Sequence, residues 1–81
     1  MSYETALERA ISDQILIIAN RSEPRVTQGE LAEVAGVTRE SMNKYLRGKT
    51  PMPLPALIAL CDHLEVPLQQ LVSRAEAQIE Q

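Results

Sequence analysis

Apolar residues recur at intervals of three and four through most of the chain, the spacing of helices that each bury one side. From about Tyr3 to Asn20 the stripe is Leu7, Ala10, Ile11, Ile15 and Ile18. Leu16 and Ile17 fall off it, either as ordinary exposed apolar side chains or as the edge of a contact surface. Thr5 and Glu8 have capping-box spacing if the regular helix begins there, and Arg21 to Val26, with Pro24 inside, reads as a connector. Thr27 and Glu30 form a second Thr-x-x-Glu box ahead of Leu31, Val34 and Ala35. Gly36 accepts the left-handed backbone that follows a helix end, and Val37 reads as a buried turn residue. Thr38 can cap a third helix that runs to Leu46 or Arg47 and stops against Gly48. Met42, Tyr45 and Leu46 take its apolar side, while Arg39, Glu40, Asn43, Lys44 and Arg47 reach outward.

Pro51, Pro53 and Pro55 predict an extended entry to a fourth helix starting near Leu54. Leu57, Ile58, Leu60, Cys61 and Leu64 fill most of its circumference, which makes it the expected central and most buried helix. Pro67 opens a fifth helix with Leu68, Leu71, Val72 and Ala75 on one face. The expected fold is therefore all-α, five helices and no sheet, around Leu7, Ile11, Ile15, Leu31, Val37, Met42, Leu57, Leu60 and Leu64. Residues 1–72 form the expected domain, and 73–81 a C-terminal helical extension or the start of a linker.

Eighty-one residues allow one domain, and one of this size buries only about 60–65% of the surface of its unfolded chain. No apolar run, Ile15 to Ala19 included, is long enough for a bilayer span or a signal-peptide core, and the lone Cys61 makes no internal disulfide. The expectation is a cytoplasmic protein without a membrane partner. There is no Phe or Trp, and the two aromatics are Tyr3 and Tyr45, which disfavours sheet modules that stack single-stranded bases. A net charge of −3 argues at first against a nucleic-acid partner, but the charge is uneven. Residues 21–49 hold six of the eight bases against four acids, a net of +2, and from Gly36 to Pro51 Glu40 alone opposes four cations. Such a stretch is either a focused anion-binding face or a solvated helix surface.

Catalysis would have to rest on Cys61, Asp62 and His63. Three consecutive helical residues point about a third of a turn apart and do not converge on one metal or substrate, so Cys61 is assigned to the core and His63 to a partly exposed surface. No phosphate loop, nucleophile-base pair or zinc spacing occurs elsewhere. The expectation is a protein that is not an enzyme and carries no cofactor or metal.

Two short helices joined by Gly36-Val37 make a helix-turn-helix over residues 28–47, with the small Ala32 and Gly36 where the helices touch. The stretch QGELAEVAGVTRESMNKYLRGK, Gln28 to Lys49, resembles the Cro and phage-repressor (XRE, lambda-repressor-like) helix-turn-helix family. The resemblance continues through Leu57, Leu60, Leu64, Val66 and Leu71, and covers roughly residues 5–72. Leu46 stands where that family often has Glu, Glu65 where it commonly has Gly, and Pro53 and Pro67 where it usually has a Ser or similar cap. Some family members use the motif only as a scaffold for protein contacts; here the basic bias falls on the motif itself and favours DNA.

A recognition helix enters the major groove by its N-terminal half, so Thr38, Arg39, Glu40 and Asn43 face base edges, with Lys44 one turn further on. Arg39 suits a bidentate contact to guanine, while Glu40 either accepts from cytosine N4 or pairs with Lys44. The resemblance implies that Gln28, first in the second helix, binds a phosphate and braces the reading helix. It likewise implies that Arg47, Lys49 and Thr50 match the loop that grips the backbone. The expected function is a sequence-specific double-stranded DNA-binding repressor, a phage-type immunity repressor or its N-terminal domain. The alternatives are a host XRE-type regulator and an antitoxin-like protein-interaction module. The isolated chain is expected to be monomeric, with pairing on DNA or a further DNA-contacting region beyond Gln81 completing the affinity.

Overall fold

A computed structural model describes residues 3–80, with side chains from Thr5 onward; Met1, Ser2 and Gln81, at the outer ends of the two expected segments, lie outside the described residues. Five helices follow one another, α1 (Tyr3–Arg21), α2 (Gln28–Ala35), α3 (Arg39–Leu46), α4 (Leu54–His63) and α5 (Leu68–Ile79), and there is no strand among the described residues. The all-α, five-helix expectation holds.

Local chemistry accounts for most helix ends. Thr27 Oγ1 accepts from Glu30 N at 3.2 Å, and Thr38 Oγ1 from Ser41 N at 3.1 Å. The Thr27 box is only half formed, because the Glu30 carboxylate turns away to His63 Nε2 at 2.6 Å rather than back to the Thr27 N–H. The Thr5–Glu8 box has no helix start to serve, since α1 already includes Tyr3. α2 closes at Gly36 (φ 71°), whose N–H and that of Val37 reach Glu33 O (3.2 Å) and Ala32 O (3.0 Å). A β-carbon on Gly36 would meet nothing within 4 Å, so this glycine is needed for its backbone angle and not for close helix approach as its sequence position suggested. α4 and α5 start after Pro53 and Pro67 with no side-chain cap, as the two prolines implied.

Each helix contributes one fully buried large side chain: Ile15, Leu31, Met42, Leu60 and Leu71. α1 packs mainly on α5 and also on α3, while α2 packs on α4 and α3. Two neighbours make α1 bury more than its apolar stripe. Ser12 and Gln14 are buried beside Ala10, Ile15 and Ala19, with Ser12 Oγ donating to Tyr45 O (2.9 Å) and Gln14 Nε2 to Gln78 Oε1 (2.8 Å). Leu7 is half-buried and outside the core cluster, so its place in the expected core is corrected; Ile11, Val37 and Leu64 are half-buried and pack against that cluster. α4 is not buried all round either. Leu54 and Ile58, in its first two turns, are 59% and 51% exposed.

Candidate nucleic-acid interface

The turn at Gly36 and Val37 sets α3 against α2 while Met42 and Leu46 anchor its inner side in the core. With those two positions buried, the helical period turns Arg39, Glu40 and Lys44 outward, and all three are exposed together with the cap Thr38. The Thr38 hydroxyl is engaged locally, accepting from Ser41 N and donating to Ser41 Oγ (3.1 Å each). Glu40 and Lys44 approach to 3.8 Å as an exposed i,i+4 pair, an arrangement worth about 0.3–0.5 kcal/mol. Arg39 lies back across the start of α2: a β-carbon on Gly29 would sit 3.5 Å from Arg39 Nε and 3.6 Å from Cζ.

Asn43 stands apart from the other expected base readers. It is half-buried and lines a cleft of about 290 Å³ together with Gln28 and Arg47, two of the residues expected to hold phosphate. The cleft opens between the end of α1, the start of α2 and the end of α3, and Leu16, Leu31 and Leu46 are among its apolar lining. Leu46 is buried here, so the position that often carries Glu in the resembling family brings no charge to the cleft.

Lys49 and Thr50 are exposed in the loop after α3, which Gly48 turns at φ 74° while the Lys49 N–H closes on Lys44 O at 3.0 Å. They share a cavity of about 170 Å³ with Arg9, whose aliphatic stem crosses Gly48 so closely that a β-carbon there would lie 3.5 Å from Arg9 Cγ. Sequence reasoning left both Arg9 and Arg25 out of the site. Arg25, in the α1–α2 connector, lines the cleft with Gln28 and Arg47, and its Nε donates to Asn20 Oδ1 at 3.0 Å. The one sequence signal for it was its membership of the basic middle stretch, because a connector has no period that predicts where a side chain points.

Two acids of this region are paired, and neither with an arginine or Lys49. Glu40 pairs with Lys44 and Glu30 with His63, and among the described residues Arg25, Arg39, Arg47 and Lys49 have no ion pair with a carboxylate. The face is cationic although the chain as a whole is acidic, which is the charge arrangement a polyanion needs. Cys61, Asp62 and His63 diverge. Cys61 is buried and its thiol is pushed up by that burial, Asp62 is exposed, and His63 faces Glu30. Among the described residues no three His, Cys, Asp or Glu lie together in a way that holds a metal ion, and no helix is long and apolar enough to cross a membrane.

No curated protein and no solved structure matches the chain. A family model does, that of the helix-turn-helix domain, over residues 19–75, a span that holds α2 to α4 and most of α5. With the two short helices, the glycine turn and the cationic face in place, the chain belongs to the helix-turn-helix domain family of DNA-binding proteins.

Proposed function

We propose that the chain is a sequence-specific, double-stranded DNA-binding transcriptional repressor of the XRE, lambda-repressor-like kind. In this reading it is a phage-type immunity repressor or the N-terminal DNA-binding domain of one, acts in the cytoplasm, and reads the major groove with α3. The observation that carries the reading is the exposure of Arg39, Glu40 and Lys44 on α3, flanked by Gln28, Arg47 and Lys49 on a surface where the arginines and Lys49 lack carboxylate partners. Thr38, Arg39, Glu40, Asn43 and Lys44 then face base edges, and Gln28, Arg47, Lys49 and Thr50 hold the backbone. The role is binding, with no catalytic step and no cofactor. The apolar face of α5 is committed to α1, which supports a chain that is monomeric alone; pairing on DNA or a further DNA-contacting region then completes the affinity.

A second reading, an antitoxin-like module that grips another protein, has the exposed Leu54 and Ile58 in its favour, four residues apart on α4. Selection from a pool of random duplexes separates the two. Salt-sensitive recovery of one sequence supports the repressor; no binding at low salt overturns it. On the selected duplex, Arg39→Ala is expected to cost about 1–3 kcal/mol of specific binding, concentrated at one base pair and sparing unrelated DNA. Arg47→Ala or Lys49→Ala is expected to weaken all duplexes alike and to lower the slope of log affinity against log salt by about one. Strictly additive losses between Arg39→Ala and every base-pair change would move Arg39 to the backbone set.

A further inference from the structure

The cleft shared by Gln28, Asn43 and Arg47 contains a cation that the helix-turn-helix itself does not supply. Arg25 enters from the α1–α2 connector, and its Nε is fixed by Asn20 Oδ1, the penultimate side chain of α1, at 3.0 Å. That bond uses one of five guanidinium N–H groups and sets the plane of the fork, leaving the four N–H groups on its two terminal nitrogens. Among the described residues no Asp or Glu lines the cleft, and Leu46 is part of its apolar wall. Arg25 and Arg47 therefore line one space of about 290 Å³ together with Asn20, Gln28 and Asn43, and without an acid among the described residues. Two like charges without an acid between them repel, and an anion entering the cleft relieves that repulsion as well as binding each cation. The anion within reach is set by the surroundings: Gln28 and Arg47 border the surface given above to the DNA backbone.

We propose that Arg25, positioned by Asn20, closes with Arg47 on a single backbone phosphate of the bound duplex, a contact point outside α2 and α3. This rests on the DNA-binding reading. Arg25 touches the ligand; Asn20 acts through it as a positioning residue. Both side chains are exposed, so substitutions there leave the buried core intact.

The test measures binding of the full chain to a mixed-sequence duplex of roughly 20 base pairs across a range of monovalent salt. Arg25→Gln is expected to lower the salt slope by about 0.9, and hence the affinity by about eightfold at 0.1 M salt relative to a 1 M reference. Arg25→Lys is expected to keep the slope while losing part of the affinity, since the charge stays but the held fork does not. Asn20→Asp leaves the arginine in place and sets a carboxylate against it; its slope is expected to fall as far as that of Arg25→Gln. A merely structural Arg25 predicts the opposite, an unchanged slope, because the new ion pair would hold the connector at least as well. Unchanged slopes in both Arg25→Gln and Asn20→Asp, alongside a lowered slope in Arg47→Ala, overturn the phosphate clamp and leave the DNA reading standing. Absence of duplex binding by the unaltered chain at low salt overturns the DNA reading and the clamp with it.

Discussion

At φ 57° Glu65 follows α4 in the left-handed region, with its N–H on Asp62 O at 3.2 Å and the Val66 N–H on Cys61 O at 3.0 Å. The same closure ends α2 and α3, where Gly36 and Gly48 take φ 71° and 74°. A glycine meets no steric penalty in that region, whereas a residue with a β-carbon costs about 1–2 kcal/mol there. The turn hydrogen bonds persist at Glu65 because Leu64 and Val66 pack against the core on either side of it and hold the backbone in place. The resembling family commonly has glycine at this position, and the backbone angle gives the reason. Glu65→Gly is expected to raise stability in urea by about 0.5–1 kcal/mol, the relieved strain less the larger entropy that glycine brings to the unfolded chain. A loss of stability on denaturant titration would show that the Glu65 side chain contributes more than its backbone costs.

The elements divide into those fixed by their own residues and those fixed by neighbours. Helix existence and ends were legible because Thr27, Thr38, Gly36, Gly48, Pro53 and Pro67 act within a turn of themselves, so spacing alone reports them. Burial was less legible, since it depends on which helices meet. α1 has the apolar stripe of a helix with one packed side, yet it sits against both α5 and α3 and buries Ser12 and Gln14 through side-chain hydrogen bonds. α4 has an apolar circumference, yet Leu54 and Ile58 remain outside. The candidate interface shows the same division: the outward set on α3 follows from its period, whereas Arg25 joins the cleft through the path of a connector and Asn43 turns out to line that cleft. Two leucines test this view of the core. Leu71 of α5 is fully buried, and Leu71→Ala is expected to cost about 2–5 kcal/mol, while half-buried Leu7 lies outside the core cluster and Leu7→Ala is expected to cost under about 1.5 kcal/mol. Equal losses in equilibrium unfolding would restore Leu7 to the core.

Across the whole molecule, the acidic body supports the cationic face. The reading helix is carried by α2 and α1, and α1 in turn is held chiefly by α5, so the helix most distant in sequence from the motif braces its platform. The second half of α5 takes part in that bracing. Ala75 is fully buried, and Gln78 spans to α1 by accepting from Gln14 Nε2 at 2.8 Å and donating to Asp13 Oδ2 at 2.9 Å. Gln14 is only 9% exposed, so removing Gln78 leaves a nearly buried amide without that partner, a deficit of about 1–3 kcal/mol before the lost apolar contacts of Ala75 and Ile79 are added. A domain of this length has a total stability of roughly 4–12 kcal/mol, and the combined loss is a large share of it. A chain ending at Val72 is therefore expected to melt at least about 10 °C below the full chain, because each kcal/mol shifts the midpoint by roughly 4–8 °C in a domain of this size. Its DNA affinity is expected to fall with the folded fraction and to recover on cooling, since the residues of the reading face are all retained. A midpoint within about 3 °C of the full chain would instead make residues 73–79 an extension that the domain does not need, and would place the end of the cooperative unit within the first turns of α5.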